Sequence, residues 1–427
     1  MTSTARGLKA RLARADAVSF TLFAGLAGFC AYFSMYAFRK PFTAATFEGV
    51  EGWTFAVDYK VALVIAQLLG YALSKWIGIK LIAEADEAGR CRAILGLIGF
   101  SWLALVGFAL TPAPWNVGFL FLNGLPLGLI WGLVFGFMEG RRVSDVLGAI
   151  LCSSFILSSG VVKAVGKMLL QAGVSEVWMP AAAGAVFSPL LLMAVYGLSQ
   201  LPPPSEADEM ARVRRSPMGA AERARFLRDY WPGVALMTLA YVLLTVFRDF
   251  RDNFSAEIWQ ALGQGQAASV FAASEAPVAV AILVLLGGLM LIRNNRHAFF
   301  IMHGVVIGGA ALIALSTLCF QLGVASPMLW MMGSGMGLYM AYTPFNAVMF
   351  DRMIAATGRV ATAGFLIYLA DAAGYLGTAA MLIYRSFVLV DLNWLQFFIV
   401  LAYTTAGAAF FLILFSLFHF WRASPKV

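Results

Sequence analysis

Charge is what this sequence has least of. Asp, Glu, Lys and Arg together make up 12% of its 427 residues, about half the share found in a water-soluble domain. Cysteine and histidine are scarcer, at four and three. Cys30, Cys91, Cys152 and Cys319 stand far apart, three of them in apolar runs. Neither they nor His297, His303 and His419 fall at the spacing of a disulfide framework or a metal site. No metal and no cofactor is expected. A P-loop is missing, which argues against an ATP-driven pump. No nucleophile–base pair or paired carboxylates suggest an enzyme, and no nucleic-acid partner is expected.

What is there is apolar surface, 61% of residues, far more than a water-solvated core can hide. Runs of about 20 apolar residues read as membrane-spanning helices. Hydropathy gives about twelve, at 18–44, 59–82, 93–111, 115–138, 147–171, 178–200, 232–254, 269–292, 298–320, 326–349, 361–384 and 396–421. The basic start, with Arg6, Lys9, Arg11 and Arg14, is followed by a run too long for a signal peptide, so an uncleaved first helix is expected. With this set of spans, 22 of the 30 lysines and arginines fall on one side. The positive-inside rule makes that side cytoplasmic, together with both termini. The expected organisation is a basic N-terminus (1–17), a six-helix bundle (18–200), a cytoplasmic linker (201–231), a second six-helix bundle (232–421) and a short tail (422–427).

The two halves echo each other. FRKPFTAATF (38–47) ends span one and FRDNFSAEIW (250–259) ends span seven, with Arg39 and Arg251 separated by 212 residues. Glu139 and Asp351, which end spans four and ten, share that offset. Gly124, Gly128 and Gly132 in span four find counterparts in Gly333, Gly337 and Ala341 in span ten. A duplicated six-helix unit accounts for all three, and parallel halves of this kind bind substrate between them in major facilitator transporters.

Helical spacing puts Tyr32, Tyr36, Arg39 and Thr43 on one stripe of span one, and Leu244, Arg248, Arg251 and Ser255 on the equivalent stripe of span seven. Tyr241 and Thr245 lie on a neighbouring face. Guanidiniums at bilayer depth suit an anionic group, which their planar fork binds bidentately. Two alternatives remain open at this point. Arg39 is far enough along its helix to snorkel to the outer interface, and Asp249 and Asp252 can neutralise Arg248 and Arg251 locally. Pro41 is expected to bend the helix just past Arg39. Lys163 in span five, Glu275 in span eight and Asp371 in span eleven are further intramembrane ionisable groups, candidates for binding or coupling, or for a structural lysine–acid pair. The glycines at 124, 128, 132, 136 and 140 read as a close-packing seam. His303 is expected to be a hydrogen-bonded interior group.

Over its full length the sequence resembles the major facilitator superfamily. Its YAFRKPF stretch, with Tyr36, Arg39 and Lys40, looks most like the organophosphate:phosphate antiporter branch. That resemblance implies a phosphate-holding arginine in helix one, paired with one in helix seven, here Arg251 or Arg248. It also implies a helix-eight acid, which Glu275 matches loosely. The superfamily's motif between helices two and three is degenerate here: Gly70, Ser74, Lys75, Gly78 and Lys80, with Ser74 at the position of the motif's aspartate. The expectation is therefore a secondary transporter, possibly an antiporter, of a small organic anion. It binds through Arg39, Arg251, Arg248, Lys40, Tyr36, Tyr32 and Lys163. Glu275, Asp371, Glu139, Asp351 and Lys75 are its coupling or gating candidates. A monomer among the lipids of a bacterial inner membrane is expected. A transporter-like sensor without turnover and a transporter of lipids or amphipaths are the competing readings.

Overall fold

The structure, a computed structural model, describes residues 3–83, 87–139, 141, 143–204, 208, 220–356 and 364–423. Every regular element among them is helical. Much of the expected linker lies outside the described residues, as do Gly140, Arg142, Arg359 and the last four residues of the tail. The chain divides into two compact units, Met1–Val213 with Gln266–Ala276, and Arg214–Gly265 with Pro277–Val427.

Unit 1 opens with α1 (Ser3–Leu12) and α2 (Ala17–Tyr36). Asp16 caps α2, its carboxylate accepting from the Val18 and Ser19 amides. A single-turn 3₁₀ helix (Pro41–Ala44) follows, then α3 (Tyr59–Ala83), α4 (Glu87–Leu110), α5 (Val117–Leu127), α6 (Ile130–Phe135), α7 (Ser144–Gln171) and α8 (Met179–Ser199). Helix α2 packs on α7 and α8, and α3 and α4 both pack on α5. The α7 helix stops at Gly173, whose φ of 91° only glycine takes without strain.

Unit 2 contains α9 (Ala220–Asn253), α10 (Ser255–Ala261), α11 (Ser269–Met290), α12 (Asn295–Gln321), α13 (Pro327–Pro344), a π-helical turn (Phe345–Met349), α14 (Phe350–Ala356), α15 (Gly364–Val388) and α16 (Trp394–Ala423). The first two turns of α11, through Ala276, group with unit 1. Helix α9 packs on α15 and α16, and α12 packs on α13 and α16. His303 is fully interior, as expected. Its Nδ1 donates to the Phe299 carbonyl at 2.9 Å and its Nε2 meets the Ser416 hydroxyl at 3.2 Å.

Among the described residues nine helices are long and apolar enough to cross a membrane. Helices α3, α13 with its continuation, and α15 complete the twelve expected spans.

Four expectations about the elements change. The first helix ends at Tyr36 and is not simply bent at Pro41. The Arg39 and Lys40 amides both return to the Tyr36 carbonyl, and Pro41 has no amide with which to continue. Arg39 and Thr43 therefore leave the helical stripe that Tyr32 and Tyr36 occupy. Span four is not one helix, since it breaks at Gly128 and Leu129, just after Pro126. Span seven begins earlier than expected, because α9 is already helical from Ala220, inside the expected linker. The degenerate motif is not a loop; Gly70 to Lys80 all lie on α3.

The glycine seams do pack backbone to backbone, as small residues permit in a membrane. A Cβ on Gly124 would meet the Gln67 carbonyl at 2.2 Å, and one on Gly70 the Phe121 carbonyl at 2.2 Å. In unit 2 a Cβ on Gly337 would sit 2.6 Å from the Gly309 carbonyl. The recurring spacing thus marks tight crossings in both units against different partners, span two in the first and span nine in the second.

Candidate functional site

In unit 1 the polar residues gather where α2 ends. Asn123 of α5 donates to the Phe38 carbonyl at 2.9 Å, and Gln67 of α3 donates to the Arg39 carbonyl at 2.9 Å. Gln67 also donates to Asn123 at 2.7 Å, and Ser101 of α4 meets Asn123 Nδ2 at 2.6 Å. All these groups are buried. The two carbonyls that the broken helix leaves over are therefore captured by side chains of α3 and α5, with Ser101 of α4 holding Asn123, which fixes where Arg39 leaves the backbone. The Arg39 guanidinium, only 4% exposed as a residue, lies over the Tyr71 ring at 4.0 Å, with Tyr36 at 5.8 Å. Lys75 approaches the same Tyr71 ring at 5.5 Å. Tyr32 and Tyr36 are buried and meet edge to face at 5.6 Å. Lys40 is buried, and its carbonyl accepts from the Thr43 hydroxyl at 2.7 Å. Lys60 donates to the Thr43 carbonyl at 2.9 Å.

Lys163 and Glu275 form a second buried group in unit 1. Gly160, one turn before Lys163, packs so closely on the start of α11 that its Cβ would meet the Phe271 carbonyl at 2.4 Å and the Glu275 Cβ at 3.0 Å. The Lys163 ammonium stands 5.9 Å from the Phe271 ring centroid.

In unit 2 a cluster joins α9, α13, the π turn and α15. Arg248 is bound to Asp249 through Nη2 at 2.7 Å and Nε at 3.0 Å. Thr378 donates to the other Asp249 oxygen at 3.1 Å. Arg248 Nη1 donates to the Tyr342 hydroxyl, and its guanidinium lies over the Tyr342 ring at 4.5 Å. Tyr342 and Tyr241 are stacked at 5.1 Å with their hydroxyls 3.0 Å apart. Tyr241 donates to Asp371 Oδ1, with Asn346 Oδ1 3.2 Å from the same hydroxyl. A π turn widens the helix locally and is frequent at functional sites; here it carries Asn346.

The structure therefore brings Tyr36, Arg39 and Lys75 together around Tyr71, and brings Arg248 and Asp371 into one cluster. Arg251 belongs to neither. Its guanidinium is folded onto α13, donating to the Met331 carbonyl at 2.7 Å, with Nη2 2.7 Å from where a Gly335 Cβ would sit. Glu139 is exposed just past α6, and Asp351 is half-buried in the first turn of α14. Gln67, Asn123, Ser101, Tyr71, Tyr342 and Asn346 are the residues that sequence reasoning missed. The signal available for Gln67 and Asn123 was a lone amide inside an apolar run, since such a group is placed in hydrocarbon only when it has partners.

Twelve spans in two helical units define a class. The chain has the major facilitator fold, and it matches the crystal structure of a D-xylose–proton symporter with a TM-score of 0.62, over 96% of this chain and 99% of that one, at 14% identity. At such identity the likeness is one of fold. By sequence the chain belongs to the family of unknown function DUF5690, whose model matches residues 41–423. No curated protein matches it.

Proposed function

We propose that this protein is a secondary transporter of a small organic anion, carrying a phosphate or carboxylate group, that works by alternating access. One observation carries the reading. Among the described residues, the charged side chains buried in unit 1 are Arg39, Lys40, Lys60 and Lys163 against a single carboxylate, Glu275. By the same measure unit 2 has no positive surplus, with Arg251 and Arg385 against Asp249, Glu257 and Asp371. What unit 1 has in surplus is positive charge, not unpartnered side chains. A surplus of one sign inside a membrane protein is costly unless a mobile ion of the other sign offsets it. A neutral sugar such as xylose places no such demand.

In this reading Arg39 is the principal anion contact. Its backbone is fixed by Gln67 and Asn123, its guanidinium plane is set by Tyr71, and the planar fork suits phosphate or carboxylate. In unit 2, Arg248 with the Tyr342 hydroxyl is a second candidate anion contact. Arg251, turned onto the α13 backbone, is a positioning residue that ties α9 to α13.

The test is a thermal-shift screen of the purified full chain against phosphorylated and carboxylated metabolites, with xylose as the neutral comparator. Saturating ligand, at a hundred times its Kd, stabilises by about 2.7 kcal/mol. Stabilisation by an anion that Arg39→Lys and Arg248→Lys abolish, with unliganded stability unchanged, supports the assignment. Stabilisation that survives in both variants, or that xylose alone produces, contradicts it.

A further inference from the structure

The hydroxyl cluster of unit 2 has a direction. Arg248 Nη1 donates to Tyr342, whose hydroxyl lies 3.0 Å from that of Tyr241, and Tyr241 donates to Asp371. Each phenol carries one proton. Tyr241 has committed its proton to Asp371, so the proton between the two phenols belongs to Tyr342. The order from Arg248 through Tyr342 and Tyr241 to Asp371 holds as long as Asp371 is a carboxylate. The charged and phenolic groups that act on the Tyr241 hydroxyl include Asp371 and Tyr375 from α15, Tyr342 from α13 and Arg248 from its own helix, with Asp249 bound to Arg248. Arg248, Asp249 and Asp371 together carry one net negative charge, an environment that disfavours a second anion.

We infer that Asp371 is a proton-binding site, and that Tyr241 and Tyr342 relay its protonation to Arg248, so that the anion is taken up together with one proton. This rests on the reading of Arg248 as an anion contact. The balance is simple. One proton moves from bulk water to an Asp371 oxygen and none passes to the anion. Protonated Asp371 donates to Tyr241, Tyr241 turns its own proton to Tyr342, and the Tyr342 proton is released to point at an anion beside Arg248. The cluster simultaneously becomes neutral. Both changes favour an anion, and both reverse when the proton leaves. Asn346 Oδ1 offers Tyr241 a second acceptor during the reversal.

The test uses the full chain in nanodiscs, with sulfate as the probe because its charge is constant over the range used. Infrared difference spectra recorded across about pH 5 to 9 read the protonated-carboxyl band with no ligand present. The wild type is expected to gain a band at low pH that Asp371→Asn lacks and Tyr241→Phe retains. On the alkaline side of that titration, sulfate affinity is expected to rise about tenfold for each unit by which pH falls, as linkage to one proton requires. It should be independent of pH in Asp371→Asn and vary less steeply in Tyr241→Phe, which keeps the charge change and loses the relay. Identical spectra for wild type and Asp371→Asn overturn the proton site whatever the anion does. A titrating band beside a flat sulfate affinity overturns the coupling. A titrating band with no sulfate binding at any pH overturns the inference through the anion reading on which it rests.

Discussion

Gln67 holds Arg39 by its backbone and leaves the guanidinium to Tyr71. The amide of Gln67 reaches the Arg39 carbonyl at 2.9 Å, and the guanidinium lies 4.0 Å above the phenol ring. The first helix stops short, and what a continuing turn would have supplied is replaced by side chains from α3 and α5. An arginine placed this way has little freedom in direction, which a bidentate anion site requires.

Removing the centre of that network is expected to be expensive. Asn123→Leu leaves the Phe38 carbonyl and Gln67 without this buried partner, at about 1–3 kcal/mol for each group. Thermal unfolding in detergent is expected to show a large drop in Tm. Asn123→Asp keeps the acceptor for Gln67 but loses the donor to the Phe38 and Ser101 carbonyls and buries a carboxylate, so it should not recover the loss.

Two adjacent glycines of α12 make a matched pair. A Cβ on Gly309 would lie 2.5 Å from the Gly337 carbonyl and 2.7 Å from the Ala341 amide, while Gly308 has nothing within 4 Å. Gly309→Ala is expected to destabilise by about 1–3 kcal/mol, since backbone cannot move aside cheaply. Gly308→Ala should be neutral or slightly stabilising. Parallel melting curves of the two variants decide it.

Arg39 and Arg251, symmetric in sequence, are expected to fail differently. Arg39→Lys should weaken anion binding by about ten- to a hundredfold, the loss of charge-assisted bonds, with stability intact. Arg251→Ala should lower stability first, because its guanidinium is packed on Gly335 and bonded to Met331. Affinity and Tm measured on the same preparations separate the two.

The start of α2 carries a pH dependence. Hydrogen bonds from the Ser19 hydroxyl and amide, then the Val18 amide, hold the Asp16 carboxyl below its ordinary value of 3.8. A lowered pKa in the folded state means the cap contributes fully above the ordinary value and is lost as pH falls through the lowered one. Amide exchange at Val18 and Ser19 should lose protection only in that acidic window, and Asp16→Ala should lose it at every pH.

The spans were legible because hydropathy is a summed signal that tolerates local error, and the glycine seams because their spacing is fixed by helix geometry. The end of α2 was not legible. Asn123 captures a carbonyl 85 residues away in sequence, and no periodicity reports that. Nor could spacing tell which arginine of span seven enters the polar cluster. Arg248 and Arg251 are three apart and share a face, and Arg251 instead lies over the bare Gly335 and bonds the Met331 carbonyl of α13. Sequence symmetry pairs Arg39 with Arg251, and spacing alone does not report that Arg251 bonds the Met331 carbonyl.

The most direct measurement of the central claim is counterflow in proteoliposomes. Vesicles preloaded with the unlabelled anion selected by the thermal-shift screen are diluted into its labelled form, with wild type and Arg39→Lys at matched protein content. The account predicts transient labelled accumulation in wild type and none with Arg39→Lys. Counterflow that is undiminished in Arg39→Lys, or a wild type that binds the anion and never accumulates it, would contradict it, the second result making the protein a sensor that does not turn over.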